Sequence, residues 1–284
     1  MPVFFMISGY IGQKVSKPAG GRKMFVFVQK KFQSLIVPLL TWSLIIEFFF
    51  FTKQWKYPTL EYIQITIVSP GLWFLLTLFQ IFILYSIFLF TNTRYNKNNR
   101  LYTDLLIIIG IHLISSIYYF WNSSIMSLYL YSIFFYLGVM ISKHSPIEKF
   151  VFSEQAFLLA FMFFSVLVCH WNMKSGNSLD DLLKLIIAPS AFVVLINVCR
   201  RYENSFFSKI VSLWGRYSIE IYVTHWALLC FVENRSLDVG EGVNGFWTFI
   251  ISSLLAIPIV YLCIGFSKII EVSPNLRLMM FGRK

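Results

Sequence analysis

Apolar residues fall in nine blocks along this chain, at 3–12, 35–51, 72–90, 105–120, 128–141, 150–171, 182–199, 217–232 and 246–266, with short polar stretches between them. Unbroken apolar runs of this kind, with neither strand alternation nor a polar helix face, are what lipid-embedded helices require. The pattern predicts an all-α, polytopic membrane helical bundle of about nine spans, forming one integral-membrane domain over 1–284. Pro189 and Pro258 lie inside blocks and are tolerable in membrane helices. The longest basic connection, 13–33, opens with loop residues around Pro18 and Gly20-Gly21. It then reads as an interfacial helix over 24–33 carrying Lys30 and Lys31.

Composition sharpens this picture. The chain is 57% hydrophobic and 13% charged, with a mean hydropathy of +0.69. Soluble domains carry roughly 25% charged residues, and no charged stretch here is long enough to build one. The net charge of +11 does not point to nucleic acid. Its basic residues lie in the connections and its aromatics within the blocks, not interleaved on one face. Cys169, Cys199, Cys230 and Cys263 lie in or beside apolar blocks without paired spacing, so neither a metal site nor a disulfide framework is expected.

The basic residues also set an orientation. If the end of the first block is cytoplasmic and sides alternate, 19 of the 24 Lys and Arg fall inside. Lys53, Lys56, Lys174, Lys184 and Arg235 fall outside. The bias follows the positive-inside rule and holds loop by loop. A multi-pass plasma (inner) membrane protein with a cytoplasmic C-terminus is expected. The first block is only half a bilayer long at ~1.5 Å per residue, and it lacks signal-peptide features. The expectation is therefore a chain short of residues upstream of Met1, as a fragment or through a misplaced start, with a span shortened by local adaptation as the alternative.

Ionisable residues inside apolar blocks are the candidates for chemistry. The stretch LWGRYSIEIYVTHWA, 213–227, carries three. Arg216 and Glu220 stand four apart and can pair on a continuous helix. His225 lies about 13 Å deeper than Arg216, where an imidazole serves as base, proton relay or hydrogen-bonded strut. His112 reads as a satisfied core histidine, His144 as solvated in a loop, and His170 as interfacial. Glu47 is either on a substrate path or structural. Trp73 suits an aromatic belt as well as a site, and Lys30 and Lys31 suit anionic lipid as well as a donor phosphate. There is no GxSxG, Walker loop, HExxH or GxGxxG.

Four segments carry a family resemblance. MPVFFMISGYIG resembles the "PLFFFISGFLL" span of the acyltransferase type 3 membrane family, the polysaccharide O-acetyltransferase type. QKKFQSLIVPLLTW resembles its basic segment leading into a proline-led span. GLWFLLTLF resembles its "HLWFLPALF" span, and LWGRYSIEIYVTHWAL its "LGKYSLGIYLLHPLL" span. The matches run in family order. The resemblance implies a ten-span fold whose first helix, bearing an essential arginine and histidine, would precede Met1; the chain as given would then be inactive. It also implies a catalytic role for His225 and substrate-binding roles for Lys31, Trp73, Arg216, Ser218 and Tyr222. Ser34 stands where many members have a second arginine.

The implied reaction moves an acyl group, usually acetyl, from acyl-coenzyme A on the cytoplasmic side to a hydroxyl of a cell-surface glycan or lipid-linked sugar. Acetyl-CoA or another acyl-CoA is then a donor substrate, and no tightly bound cofactor is expected. The other partners are the acceptor sugar and the bilayer. A lipid-linked sugar flippase is a competing reading, although the two related halves common in transporters are absent from the sequence. An inactive remnant of the acyltransferase fold is another.

Overall fold

The computed structural model describes residues 1–15, 21–46, 72–95, 101–121, 126–170, 178–233 and 245–283. No strand occurs among them. The described part of every predicted apolar block is helical except for Leu72, Phe152, Ser153 and Tyr217. The count of nine membrane spans is not established by this. Among the described residues, three helices are long and apolar enough to cross a bilayer, over Trp73–Thr91, Leu183–Arg201 and Ile251–Ile270. A bent pair over Ser145–Val151 and Glu154–His170, angled at 63°, makes a fourth if it counts as one span.

The chain divides into two compact units, one of 1–28 with 80–208 and one of 29–79 with 209–284. The first contains α1 (Pro2–Val15), α5 (Leu101–Trp121), α6 (Met126–Lys143), α7 (Ser145–Val151), α8 (Glu154–His170) and α9 (Ser178–Arg201). Most of α2 (Gly21–Lys31) and of α4 (Trp73–Tyr95) also belongs to it. Its tightest joint is α1 on α6. A Cβ at Gly9 would overlap the Phe135 carbonyl, and one at Gly138 would overlap the Met6 carbonyl. The two backbones touch where neither carries a side chain, as small residues allow in membrane helix pairs. Phe5, Tyr85, Phe88, Phe135 and Phe192 fill the buried interior.

Buried polar groups in this unit are tied. Tyr85 donates to Gln13 at 2.6 Å. Tyr10 donates to Glu148 at 2.7 Å, and Lys14 pairs with the same Glu148 oxygen at 2.7 Å. The outward side of α8 bears exposed Leu158, Leu159, Phe161, Met162, Phe163 and Val166. Such a surface calls for lipid, not water.

The second unit contains α3 (Val37–Ile46), α10 (Phe206–Arg216, apart from its first residues), α11 (Ser218–Glu233), α12 (Gly245–Ile270) and α13 (Pro274–Phe281). Between α2 and α3 the chain makes a π-helical turn over Phe32–Ile36, where the Val37 N–H bonds the Phe32 carbonyl. Pro38 explains part of it, because it has no N–H to return to Gln33 or Ser34. On α10, Phe206, Phe207, Ile210, Val211 and Trp214 share one side, opposite Ser208, Lys209, Ser212 and Arg216. That is the pattern of a helix lying along an interface.

Candidate functional site

The stretch read as one helix over 213–227 is two. α10 ends at Arg216, Tyr217 forms the joint, and α11 begins at Ser218. The joint keeps bonds from the Tyr217 N–H to the Leu213 carbonyl at 3.2 Å and from the Ile221 N–H to the Tyr217 carbonyl at 2.8 Å. The sequence carries only weak notice of this break, with Gly215 before the joint and Ser218 after it but no Pro.

Along α11, His225 sits two turns beyond Ser218. It is half-buried, and its Nδ1 lies 2.8 Å from the Ile221 carbonyl. A carbonyl only accepts, so Nδ1 carries the hydrogen of the neutral ring and Nε2 holds the lone pair. Tyr222 packs beside it, ring centres 5.8 Å apart. Phe74 meets Tyr222 edge-on at 5.4 Å, and Trp73 meets Phe74 at 6.4 Å. The Phe74 backbone N–H also donates to the Tyr222 phenol. Phe74 is the second residue of α4, and helix N-termini leave such donors open. Three sequence candidates, Trp73, Tyr222 and His225, are thus brought into one aromatic chain.

The other three stand apart from it. Arg216 is exposed at the end of α10 and Ser218 at the start of α11. Lys31 ends α2, just before the π-helical turn, where burial lowers its ammonium from the ordinary lysine value. Ser34 turns its hydroxyl back to the Lys31 carbonyl at 3.3 Å.

The expected pairing of Arg216 with Glu220 does not occur. Glu220 is 1% exposed, and its Oε1 pairs with Arg283 Nη1 at 2.6 Å. The other amino group of Arg283 donates to the Arg216 carbonyl at 2.9 Å. With the helix broken at Tyr217, the four-residue spacing no longer aligns the two side chains. Sequence reasoning missed Arg283 because it lies 63 residues away, in a C-terminal segment that entered the reading only as cytoplasmic charge.

The remaining candidates fall elsewhere. His112 lies 3.3 Å from the Ser132 hydroxyl and stacks on Tyr129 at 4.5 Å, a satisfied core histidine as expected. His144 is not solvated. It is 8% exposed, with Nε2 2.7 Å from Asp104, and Lys143 holds the other Asp104 oxygen at 2.7 Å. The connection it was assigned to is a one-residue joint between α6 and α7, and the ring packs against Asp104 of α5 instead of lying in a loop. The available signal was Asp104, an acid at the mouth of an apolar block. His170 is exposed at the end of α8. Glu47 lies outside the described residues. No group of three or more His, Cys, Asp or Glu suited to a metal occurs among the described residues.

Comparison with curated proteins and with solved structures found no match. A family model for the acyltransferase domain matches residues 1–265. That range takes in every one of the four resembling segments, the aromatic chain from Trp73 to His225, and Lys31. It covers well over half of the sequence, and the chain is accordingly a membrane protein belonging to the acyltransferase type 3 family.

Proposed function

We propose that the protein is a membrane-embedded O-acyltransferase. It takes an acyl group, acetyl in the simplest case, from acyl-coenzyme A at the cytoplasmic side and delivers it to a hydroxyl of a cell-surface glycan or lipid-linked sugar. One observation carries the reading: a histidine on an apolar helix, its Nδ1 committed to the Ile221 carbonyl and Nε2 left with the lone pair, in a chain of acyltransferase family. In the proposed step Nε2 takes the proton of the acceptor hydroxyl as that oxygen attacks the thioester carbonyl. The tetrahedral intermediate collapses, the carbon–sulfur bond breaks, and the imidazolium returns the proton to the departing thiolate. Tyr222 holds the imidazole laterally and lines the path with Phe74 and Trp73.

The donor is multiply anionic, and the basic residues favour its approach from the cytoplasm. Lys31 is the candidate contact for its phosphates, because an anion restores to a desolvated ammonium what burial took away. Arg216 and Ser218, exposed on either side of the α10–α11 joint, suit the same side. In this reading the basic connections and the C-terminus lie in the cytoplasm, as the positive-inside bias of the sequence supports, and the protein lies in the plasma membrane. Membranes containing the protein should move labelled acetyl from acetyl-CoA to glycan. Crossing of labelled glycolipid without any acetyl transfer would instead support the flippase.

A further inference from the structure

We propose that Arg283 is a positioning residue: its guanidinium clamps the buried Glu220 carboxylate to the Arg216 carbonyl and so fixes the start of the helix that carries His225. The catalytic consequence rests on the function proposed above; the clamp itself rests on geometry. A carboxylate 1% exposed in the first turn of a membrane helix is costly unless paired. Arg283 supplies the partner at 2.6 Å. Its second amino group reaches the Arg216 carbonyl at 2.9 Å, on the far side of the Tyr217 joint. A planar fork can hold both sides at once, which a lysine cannot.

The segment that delivers Arg283 is built for placement. α13 packs on α3, with Phe281 fully buried and the Trp42 indole N–H donating to the Met280 carbonyl at 2.9 Å. Gly282 then turns into the left-handed region, φ 65°, with its N–H on the Leu278 carbonyl at 2.8 Å. A Cβ there would overlap the Gln33 carbonyl and the Ser34 Cα. One short segment thus touches the turn after Lys31 and both sides of the α10–α11 joint. Glu271 and Arg277, 3.8 Å apart, also act on the Glu220 charge. Glu271, Arg277 and the segment that ends in Arg283 lie beyond the family match, which ends at 265.

The test uses the full chain in lipid nanodiscs with acetyl-CoA as donor. Arg283→Ala should speed amide exchange over 217–222 roughly tenfold or more. It should lower kcat per folded molecule by about tenfold while the KM for acetyl-CoA stays within about twofold. Arg283→Lys should recover part of both losses, and Glu220→Gln combined with Arg283→Ala should be no worse than the more severe single change. Unchanged exchange over 217–222 in Arg283→Ala overturns the clamp. Faster exchange with unchanged kcat overturns the positioning role. If the unaltered chain transfers no acetyl at all, the function proposal falls while the exchange result still decides the clamp.

Discussion

Single residues set the closest tolerances in this protein. Gly9 and Gly138 meet the backbone of the facing helix, and backbone cannot rotate away as a side chain can. Gly9→Ala or Gly138→Ala should therefore destabilise by about 1–3 kcal/mol or more, read as a lower melting temperature in detergent. Gly110, with open space around it, is the control: Gly110→Ala should be neutral or slightly stabilising. Gly282→Ala faces both a positive φ and a backbone overlap, so it should loosen the same amides as Arg283→Ala. Tyr222→Phe keeps the ring packing on Phe74 but gives up the phenol that accepts the Phe74 N–H. A several-fold loss of transfer is the expected result. His225 was legible in the sequence as an ionisable group deep in an apolar block. The commitment of its Nδ1 was not, because a hydrogen bond to the fourth preceding carbonyl depends on side-chain rotamer and not on spacing.

At the scale of elements, the apolar blocks located the helices well and their interruptions poorly. The joint at Tyr217, the π-helical turn over Phe32–Ile36 and the bend between α7 and α8 are set by tertiary contacts. Local signals for them are slight: Pro38 at the turn, Gly215 just before Tyr217, and Ser153, whose hydroxyl accepts the Ala156 N–H at the start of α8. The same limit hid the Asp104, Lys143 and His144 cluster, whose members come from the first turn of α5 and the end of α6. That cluster ties α5 to α6 through a carboxylate with no solvent exposure. Asp104→Asn removes the anion while the ammonium stays mostly buried, a change that typically costs about 3–5 kcal/mol. The variant should unfold at markedly lower temperature in detergent; an unchanged melting curve would mean the cluster contributes little to stability.

Across the whole molecule, the exposed apolar surfaces of α8 and α12 and the clustering of basic residues in the connections both follow from a bilayer as solvent. The orientation has its own check. A cysteine in place of Lys23, exposed on α2, should react with an impermeant thiol reagent only from the cytoplasmic side. Labelling from outside intact cells would reverse the orientation and with it the side of the donor. The central claim is that His225 is the base for acyl transfer. The most direct measurement is steady-state transfer of labelled acetyl from acetyl-CoA to glycan in membranes holding equal amounts of the unaltered protein and of His225→Ala. The account expects kcat to fall about 100-fold or more, with the KM for acetyl-CoA nearly unchanged. Transfer by His225→Ala at the unaltered rate would contradict it.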